Sequence, residues 1–405
     1  MRCSLVLIAL AGAALRLGAQ PTALSRTQAV ATALARAPRL GVAGADTSVA
    51  LGNLLSARAY PNPTLSAVYT KSTPQYHVSA DLPFDYLWLR GLRVASAERG
   101  RDAARFRYEF ERASVALDAD TTYTHALAAR GLAALSTRTA VAADSLRRIA
   151  VARRDAGDAS DLDVELATVN AGQQANVAAG DSLTLVSTLL DLQVTLGLPG
   201  DRVTVTPTDS LVGAPRDSSF GMNATTLPVA ASAQAVQSAE IVSRLARRSI
   251  WGSAGLTFGF EAHDPTGSEP GILPTIGIAI PIPFFDRNRG GIALADAELA
   301  RARAQYDLAV IETRARAEQA ARERANALAR VARDERLVAS ADRVATMSLT
   351  AYREGAQSLA NVLEAQRNAR EILAQYINDL ARAWIATAVL RVYTMSSSTG
   401  TTPLR

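Results

Sequence analysis

The placement of proline constrains this chain more than any other feature of its sequence. Prolines occur at six positions from 21 to 83 and at nine from 199 to 283, but 84–198 and 284–402 contain none. Because proline breaks a helix interior at a cost of about 3 kcal/mol, these two gaps are where long helices can form. The stretch 292–354 also lacks glycine and is rich in Ala, Arg, Glu and Leu. It predicts one helix of roughly 90 to 95 Å at 1.5 Å per residue, a length typical of a coiled-coil wall.

The two halves of the sequence repeat the same plan. Segments 153–167 and 352–365 align when Gly157 and Gly355, 198 positions apart, are superposed. Likewise LPFD at 82–85 matches IPFFD at 282–286. The chain is therefore interpreted as an internal tandem duplication. Each half is predicted to contain a helix, two short strands, a very long helix, a glycine turn and a second long helix.

This plan gives bounds for elements and domains. In the first half the predicted helices are 27–57, 88–154 and 160–196, with strands at 64–72 and 76–82. In the second half the helices are 225–249, 292–354 and 358–393, with strands at 253–261 and 273–280. The predicted domains are a signal peptide (1–19), a first structural repeat (20–198), a polar linker (199–228), a second structural repeat (229–395) and a flexible tail (396–405).

The first residues have the pattern of a secretory signal peptide. Arg2 supplies the positive start, 5–14 form a short apolar run, and Leu17, Gly18 and Ala19 give a small-residue cleavage site. The single cysteine, Cys3, lies inside this segment, so no disulfide or thiol is expected in the mature chain. Beyond it no apolar stretch of about 18 residues occurs, so membrane insertion would require β-strands closed into a barrel.

Charge and chemistry-bearing residues exclude several functions. The net charge is +5, and the basic residues are almost all arginine. In 314–336 these arginines alternate with acidic residues, as on a solvated helix, so no nucleic-acid partner is predicted. The three histidines show no metal-ligand spacing, and no nucleophile motif stands between a strand and a helix. No catalytic residue, metal site or cofactor is predicted, and the chain is not expected to be an enzyme.

The four predicted strands alternate between apolar and small or polar residues, as the strands of a membrane barrel do. Ile276, Ile278 and Ile280, for example, oppose Thr275 and Gly277. Four strands cannot close a barrel, whose known minimum is about eight, whereas three copies would supply about twelve, which predicts a homotrimer. Aromatic residues gather around the strands as a predicted membrane girdle: Tyr60, Tyr69, Tyr76, Phe84, Trp88, Trp251, Phe258, Phe260, Phe284 and Phe285. The alternative is that these rings pack an ordinary soluble sheet.

Three features together resemble the TolC family of outer-membrane efflux proteins. They are RAYPNPTL at 58–65 before the first strand, IPIPFFDRNRG at 280–290 after the fourth, and the duplicated glycine turns. The second is most similar to the branch of CzcC-like heavy-metal efflux channels. The resemblance implies a mainly α fold with a long helical barrel and a transmembrane β-barrel of four strands per protomer. It also implies a passive exit duct in the outer membrane, with a periplasmic helical tunnel, for cations, drugs or other small molecules.

The same resemblance implies partners and site residues. The partners are a periplasmic adaptor, an inner-membrane transporter reached through that adaptor, and outer-membrane lipid. The adaptor-docking tips are Arg154, Asp155, Gly157, Asp158 and Ser160 in the first half, and Arg353, Glu354, Gly355, Gln357 and Ser358 in the second. The aperture residues are Asp161, Asp163, Glu165, Asn361 and Glu364. For Asp161 and Asp163 the alternative is a local role, since carboxylates in a first helical turn are favoured by the helix dipole.

A different class of function stays open from the sequence alone. A periplasmic coiled-coil scaffold or adaptor could carry the same long helices, with the short strands forming a soluble β domain. The doubled pair of alternating strands with aromatic ends favours the channel, because an adaptor does not need it.

Overall fold

A computed structural model describes residues 22–84, 87–213, 215, 225–252, 254–263 and 271–396. The predicted signal peptide and most of the predicted tail lie outside these residues. The helices are α1 (Arg26–Arg36), α2 (Pro38–Arg58), α3 (Arg90–Asp155), α4 (Asp161–Thr195), α5 (Leu227–Arg248), α6 (Arg289–Arg353) and α7 (Leu359–Thr394). The strands are β1 (Thr22–Leu24), β2 (Thr64–Tyr69), β3 (Tyr76–Pro83), β4 (Val205–Pro207), β5 (Gly255–Ala262) and β6 (Ile272–Ala279).

The two longest helices fill the proline gaps. α3 has 66 residues and α6 has 65, so each is about 98 Å long at 1.5 Å per residue. Many of their buried positions are alanine, including Ala119, Ala126 and Ala150 of α3. Small side chains at such positions let neighbouring helices pack closely along their length.

The prediction of one helix over 27–57 is wrong, because two helices occupy this range. Ser25 is the N-cap of α1, and its side chain accepts a hydrogen bond from Gln28 N in a capping box. Ala37 is the C-cap of the same helix. Ala37 is extended, with ψ 118°, and α2 begins with Pro38. Proline disfavours helical geometry in the residue before it and lacks the N–H that would continue the helix, so the chain breaks there.

The polar linker prediction missed a strand pair. β1 and β4 form a two-stranded parallel sheet in which Thr22 pairs with Val205 and Leu24 with Pro207. Gln193 of α4 is fully buried beside it; its Nε2 donates to Pro199 O and Arg202 O, and its Oε1 accepts from Thr204 N at 2.6 Å. Strands of three residues are too short to show an alternating pattern, so the sequence carried no periodic signal for them.

The chain forms two compact units, which we call the turn unit and the sheet unit. The turn unit comprises the described residues of 1–38, 112–220 and 317–392, and the sheet unit those of 39–111, 221–316 and 393–405. In the turn unit, one core cluster includes Leu146, Tyr352 and Val362, and a second includes Val331 and Leu380. Each unit draws on both halves of the sequence.

The four-stranded sheet of the sheet unit has the order β2-β3-β5-β6, and every neighbouring pair is antiparallel. β3 and β5 are joined through the repeat, with Val78 opposite Phe260 and Asp81 opposite Thr257. The register places Leu65, Val78, Phe260 and Ile276 on one face and Ser66, Asp81, Thr257 and Gly277 on the other. The predicted separation into an apolar and a small or polar face is therefore present in all four strands.

Gly259 lies where the sheet leaves no room for a side chain. A Cβ at this position would lie 2.8 Å from Val78 O and 3.3 Å from Ser79 Cβ. Gly277, on the same face in the next strand, would place a Cβ at an ordinary 3.6 Å from Thr257 Cβ. Glycine at 259 thus permits the close approach of β3 and β5.

Candidate functional site

The two predicted tips are helix-to-helix turns in the turn unit. α3 ends in a turn in which Gly157 N donates to Arg154 O and Asp158 N to Arg153 O, with Gly157 at φ +84°. α6 ends in the equivalent turn, with Gly355 at φ +78° and Ala356 N donating to Ala351 O. Helices commonly end in this way, with a left-handed glycine and backbone hydrogen bonds back to the carbonyls of the last turn. Both reversals are therefore built in the same way, as the repeat predicted.

One side chain links the two turns. Arg153 Nη1 donates to Tyr352 O at 2.5 Å, and its Nη2 donates to Asp158 O at 3.2 Å. The guanidinium also lies 4.8 Å from the centre of the Tyr352 ring, a cation–π distance. Tyr352 is 2% exposed, and burial, ahead of the opposing charge of Arg153, raises the pKa of its phenol. Arg153 therefore spans both turns from a single position.

A common apolar cluster lies behind the turns. It contains buried residues of all four long helices of the turn unit, so both hairpin ends share one core. Its buried members are Leu146 and Ala150 of α3, Ala167 of α4, Tyr352 of α6, and Leu359 and Val362 of α7. The predicted tip residues Asp155, Gly157, Asp158, Ser160, Arg353, Glu354, Gly355 and Ser358 are exposed around it, and Gln357 is half-buried.

The predicted aperture residues fall into two groups. Asp163 is occupied locally, because it accepts from Ser160 N at 3.2 Å and completes the capping box of α4. Asp161 has a 91% exposed side chain, with Arg154 at 3.9 Å. Arg154 lies closer to Asp155, at 2.6 Å, and the hydrogen bond to Asp155 raises the pKa of the Arg154 guanidinium. Asp163 is therefore engaged in capping its own helix.

The remaining aperture residues point out of the cluster. Glu165, Asn361 and Glu364 are exposed, and Glu364 accepts from Asn368 Nδ2 at 3.3 Å on its own helix. Glu364 lies at one end of a polar cleft of about 690 Å³ between α4 and α7. Other residues lining this cleft are Asn170, Gln173, Gln174, Arg367, Arg370 and Glu371.

The predicted girdle residues gather at the two ends of the strands. At one end Tyr69 pairs with Tyr76, their rings 5.4 Å apart, and His263 lies 5.8 Å from Tyr76. At the other end Phe84 and Trp88 meet edge to face at 5.8 Å. Tyr60 lies under Arg90, 4.4 Å from the guanidinium, and Phe284 packs on Phe285 at 5.0 Å. Trp251 adjoins this second group, while Phe258 and Phe260 lie along the apolar face between the two ends.

The helices of the sheet unit follow the same order as the strands. Arg58 of α2 pairs with Glu98 of α3 at 2.9 Å, and Ser238 of α5 donates to Ser96 O of α3. Ser243 of α5 donates to Asp296 Oδ1 of α6 at 2.6 Å, a bond that lowers the pKa of Asp296 together with the charge of Arg247. The contacts therefore run α2-α3-α5-α6, which leaves α2 and α6 at the ends of the row.

Both end helices carry exposed apolar side chains. Only Leu54 of α2 is buried. Within the sheet unit, the exposed large apolar residues of the two helices are Val42, Val49, Leu51 and Leu55 of α2 and Leu294, Leu308, Val310 and Ile311 of α6. A groove of about 990 Å³ runs between α2 and α3. Exposed apolar side chains on the two end helices of one row are typical of an interaction surface.

Solved structures with this arrangement are outer-membrane proteins. The chain matches VceC of Vibrio cholerae with a TM-score of 0.76 and 16% identity, over 92% of this chain and 96% of VceC. It matches CusC, described as forming a transmembrane channel, with a TM-score of 0.76 and 15% identity over 93% of each chain. The chain has the fold of the TolC-family outer-membrane channels.

Further comparisons agree with this TolC-family fold. The Campylobacter jejuni CmeC outer-membrane channel matches with a TM-score of 0.73 and 15% identity, over 91% of this chain and 85% of CmeC. NccC, a nickel-cobalt-cadmium resistance protein of Alcaligenes xylosoxydans xylosoxydans, is 28% identical over 294 residues, which are 70% of this chain and 66% of NccC, just under two thirds of that relative. No family model matches the sequence.

The TolC-family fold confirms the predicted fold class, mainly helical with a small sheet part. Within one chain the edges of the sheet stay open, as expected for strands that need further copies. The structural neighbours are outer-membrane channels and not enzymes. Among the described residues, no helix combines the length and apolarity needed to cross a membrane.

Two residues of the turn region were not singled out from the sequence. Arg153 lies four residues before Gly157, and Tyr352 lies three residues before Gly355. Both are within the aligned segments, but the alignment does not show that they contact each other. A signal was present in principle, because an arginine and a tyrosine lie just before the turn glycine of their respective halves. Within the described ranges, no group of three or more His, Cys, Asp or Glu side chains is placed to hold a metal ion.

Proposed function

We propose that this chain is the outer-membrane channel of a tripartite efflux pump, a passive exit duct that three copies form together. The supporting observation is that strands and helices of the sheet unit follow the same order. The strands run β2-β3-β5-β6, and the helices run α2-α3-α5-α6. Both rows end in an unpartnered edge at the same two segments of the chain. Neighbouring copies that pair β2 with β6 would therefore also bring α2 to α6.

Closure by three copies follows from strand number. An exposed strand edge presents unpaired backbone groups, and in lipid each unpaired group costs several kcal/mol. Four strands are too few for a barrel, since the smallest outer-membrane barrels have about eight, and three copies provide twelve. A closed ring also buries the exposed apolar residues of α2 and α6, which is the usual fate of such patches in oligomers.

The surface of the sheet supports placement in the outer membrane. Its apolar face is exposed, with Leu65 75%, Ile276 76% and Ile278 65% accessible. Leaving such residues in contact with water costs roughly 25 cal/mol per Å² of apolar surface. Contact with lipid removes that cost. The two aromatic groups at the strand ends match the interfacial girdles of outer-membrane barrels. The small and polar face, with Ser66, Asp81 and Thr257, would line the lumen.

We further propose that the two turns dock on a periplasmic adaptor. Their exposed residues are polar, and the two reversals share one core, so a partner would meet a fixed surface carrying Arg154, Asp155 and Glu354. Exchanging Asp155 and Glu354 for Arg should abolish cross-linking to the adaptor while trimers still form. Unchanged cross-linking would remove the turns from the docking surface.

For the aperture, the geometry favours Asp161 and Glu364 over Asp163. Three exposed carboxylates around an axis repel anions and concentrate cations. Asp163 is engaged in capping α4, so its replacement is expected to weaken the turn first.

Single-channel recording tests the aperture assignment. Glu364→Gln should reduce cation selectivity and weaken blockade by divalent cations. Glu371→Gln is the matched control, since Glu371 lies on the same helix but accepts a hydrogen bond from Arg367 at 2.9 Å. Equal selectivity in the wild type and Glu364→Gln would exclude Glu364 from the aperture.

We propose divalent metal cations as cargo, because NccC is named for nickel, cobalt and cadmium resistance. A deletion strain should lose growth on these metals and regain it with the wild-type chain, whereas sensitivity confined to antibiotics would favour drug export. Cell fractionation tests the channel itself. Recovery in the outer membrane as detergent-stable trimers supports it, and a soluble periplasmic monomer would instead support the scaffold.

A further inference from the structure

A pair of aspartates is buried in the turn unit, between α6 and α7. Asp334 of α6 is 6% exposed and Asp379 of α7 is fully buried. They adjoin an apolar cluster that includes Ala327, Val331 and Leu380. Two carboxyl groups in an apolar helix contact are unusual, because charge is costly to bury unless it is paired.

The two oxygens of Asp379 have different partners. Arg382 Nη1 donates to Oδ1 at 3.1 Å, and Arg330 Nε lies 3.2 Å from the same oxygen, as an ion pair without hydrogen-bond geometry. Oδ2 of Asp379 is buried away from the donors of the described residues, and so is Oδ2 of Asp334. The two arginines thus account for one oxygen of Asp379 and leave the other without a donor.

The charge of Asp379 and a hydrogen bond with it raise the pKa of Asp334, so the two carboxyl groups lie beside each other. Facing carboxylates cannot both be ionised at low cost, so such a pair keeps one proton. Because Asp379 is held by two guanidinium groups, the proton belongs on Asp334, which then donates to Asp379 Oδ2. This arrangement satisfies both oxygens that otherwise have no partner.

We propose that Asp334 and Asp379 form a proton-binding site that holds α6 against α7 and releases its proton to solvent as the pH rises. Release leaves two facing carboxylates in place of one hydrogen bond. The contact between the two helices is then weakened at this point, while the aromatic and apolar contacts elsewhere in the turn unit are unchanged.

The surroundings of the pair set the direction of the pH effect. Burial raises the pKa of Asp334 most, the charge and the hydrogen bond of Asp379 raise it further, and the charges of Arg333 and Arg330 oppose this less strongly. The neighbours that carry charge or titrate are Arg330, Arg333 and Glu335 of α6 and Tyr376 and Arg382 of α7, and Leu211 packs on the cluster as an apolar residue. Tyr376 donates to Glu335 at 3.4 Å.

A raised carboxyl pKa in the folded chain stabilises the fold at low pH. The contribution is present below the ordinary aspartate value of about 3.9 and is lost as the pH rises to the raised value. The wild-type melting temperature should therefore fall as the pH rises through this window and should not fall further on account of Asp334 above it.

The test compares Asp334→Asn with the wild type, using the full chain in detergent from pH 5 to pH 8.5. An asparagine amide donates the same hydrogen bond to Asp379 without a titrating proton, so the variant should melt higher than the wild type at pH 8.5 and vary less with pH. Asp379→Asn strips Arg330 and Arg382 of their carboxylate, so it should melt lower at every pH. A wild-type pH slope retained in Asp334→Asn would overturn the proposal.

The repeat supplies a matched control. The positions equivalent to Asp334 and Asp379, 198 residues earlier, are Ser136 and Asp181, so the first half has no carboxyl pair there. Asp181→Asn should leave the pH dependence of melting unchanged. Infrared difference spectra give a second readout: as the pH rises, the wild type should lose the absorption of a protonated carboxylic acid that is missing in Asp334→Asn. Its absence from the wild type, or a melting temperature set by added divalent cations and EDTA and not by pH, would contradict a proton site.

Discussion

At the scale of single residues, a few buried polar side chains determine how irregular segments attach to the helices. Gln193 is the clearest case, because its amide serves four backbone groups of the segment around β4: Pro199 O, Arg202 O, Thr204 N and Val205 N. Removing one partner of a buried hydrogen bond costs about 1 to 3 kcal/mol for the group left behind.

Gln193→Leu should therefore lower the free energy of unfolding by about 2 to 4 kcal/mol, measured by denaturant titration in detergent. Gln173→Leu is the control, since Gln173 is exposed on the same helix. An equal loss of stability in both variants would mean that a substitution in α4 is destabilising in itself, and not that the hydrogen bonds of Gln193 around β4 are lost.

Arg153 makes a second residue-scale prediction. Arg153→Ala removes the bonds to Tyr352 O and Asp158 O, so the two turns should open locally, with stability lower by about 1 to 3 kcal/mol. Hydrogen exchange at 154–160 and 353–358 measures this opening. Arg154→Ala removes only an exposed pair with Asp155 and should leave exchange unchanged. Faster exchange in both variants, or in neither, would refute the link.

Sequence reasoning reached some residues and not others for a physical reason. Gly157 and Gly355 could be predicted because a glycine between two helical patterns has a local meaning, and both have positive φ. Gln193 contacts residues 6 to 12 positions away, and Arg153 and the Asp334–Asp379 pair join different helices. No local sequence pattern indicates such contacts.

At the scale of elements, proline and glycine placement predicted the long helices to within about three residues at each end. The bounds Arg90–Asp155 and Arg289–Arg353 correspond to the predicted 88–154 and 292–354. The register of the sheet also followed from alternation, since a one-residue shift would reverse every side chain. The break at Ala37 was missed although Pro38 marks it in the sequence. The short strands β1 and β4 were missed because they have no periodic signal.

The sheet makes an element-scale prediction through its glycines. Gly259→Ala should impair pairing of β3 with β5 and reduce the yield of folded protein in detergent several-fold, because the added Cβ would lie 2.8 Å from Val78 O. Gly277→Ala, with 3.6 Å to Thr257 Cβ, should fold normally. The two variants are compared by the amount of folded protein that runs on gels without heating and disappears after heating. A normal amount for Gly259→Ala would contradict the close approach of β3 and β5.

At the scale of the whole molecule, the duplicated plan explains why one chain is incomplete. The sheet unit has one row of strands and one row of helices, and both end in free edges at β2 and β6, and at α2 and α6. The fold could be predicted from the repeat and from the strand pattern, whereas the cargo of the proposed channel could not, because the residues expected to line it carry no substrate-specific chemistry.

Edge disruption is the molecule-scale prediction. Leu308→Glu with Ile311→Glu places charge on the exposed apolar side of α6 and should prevent assembly, leaving monomers. Glu312→Leu, next to this surface, is a control for a general change of the helix and should keep the assembly. Assembly that survives both charges would exclude this side of α6 from the contact between copies.

Threefold assembly is tested by the mass of the particle that the mature chain forms in detergent, measured by native mass spectrometry or by light scattering. Each chain of the full sequence is 42.7 kDa, and we expect a particle of three mature chains that forms ion-conducting channels in a planar bilayer. A monodisperse single chain, stable in water without detergent and without conductance, would contradict it.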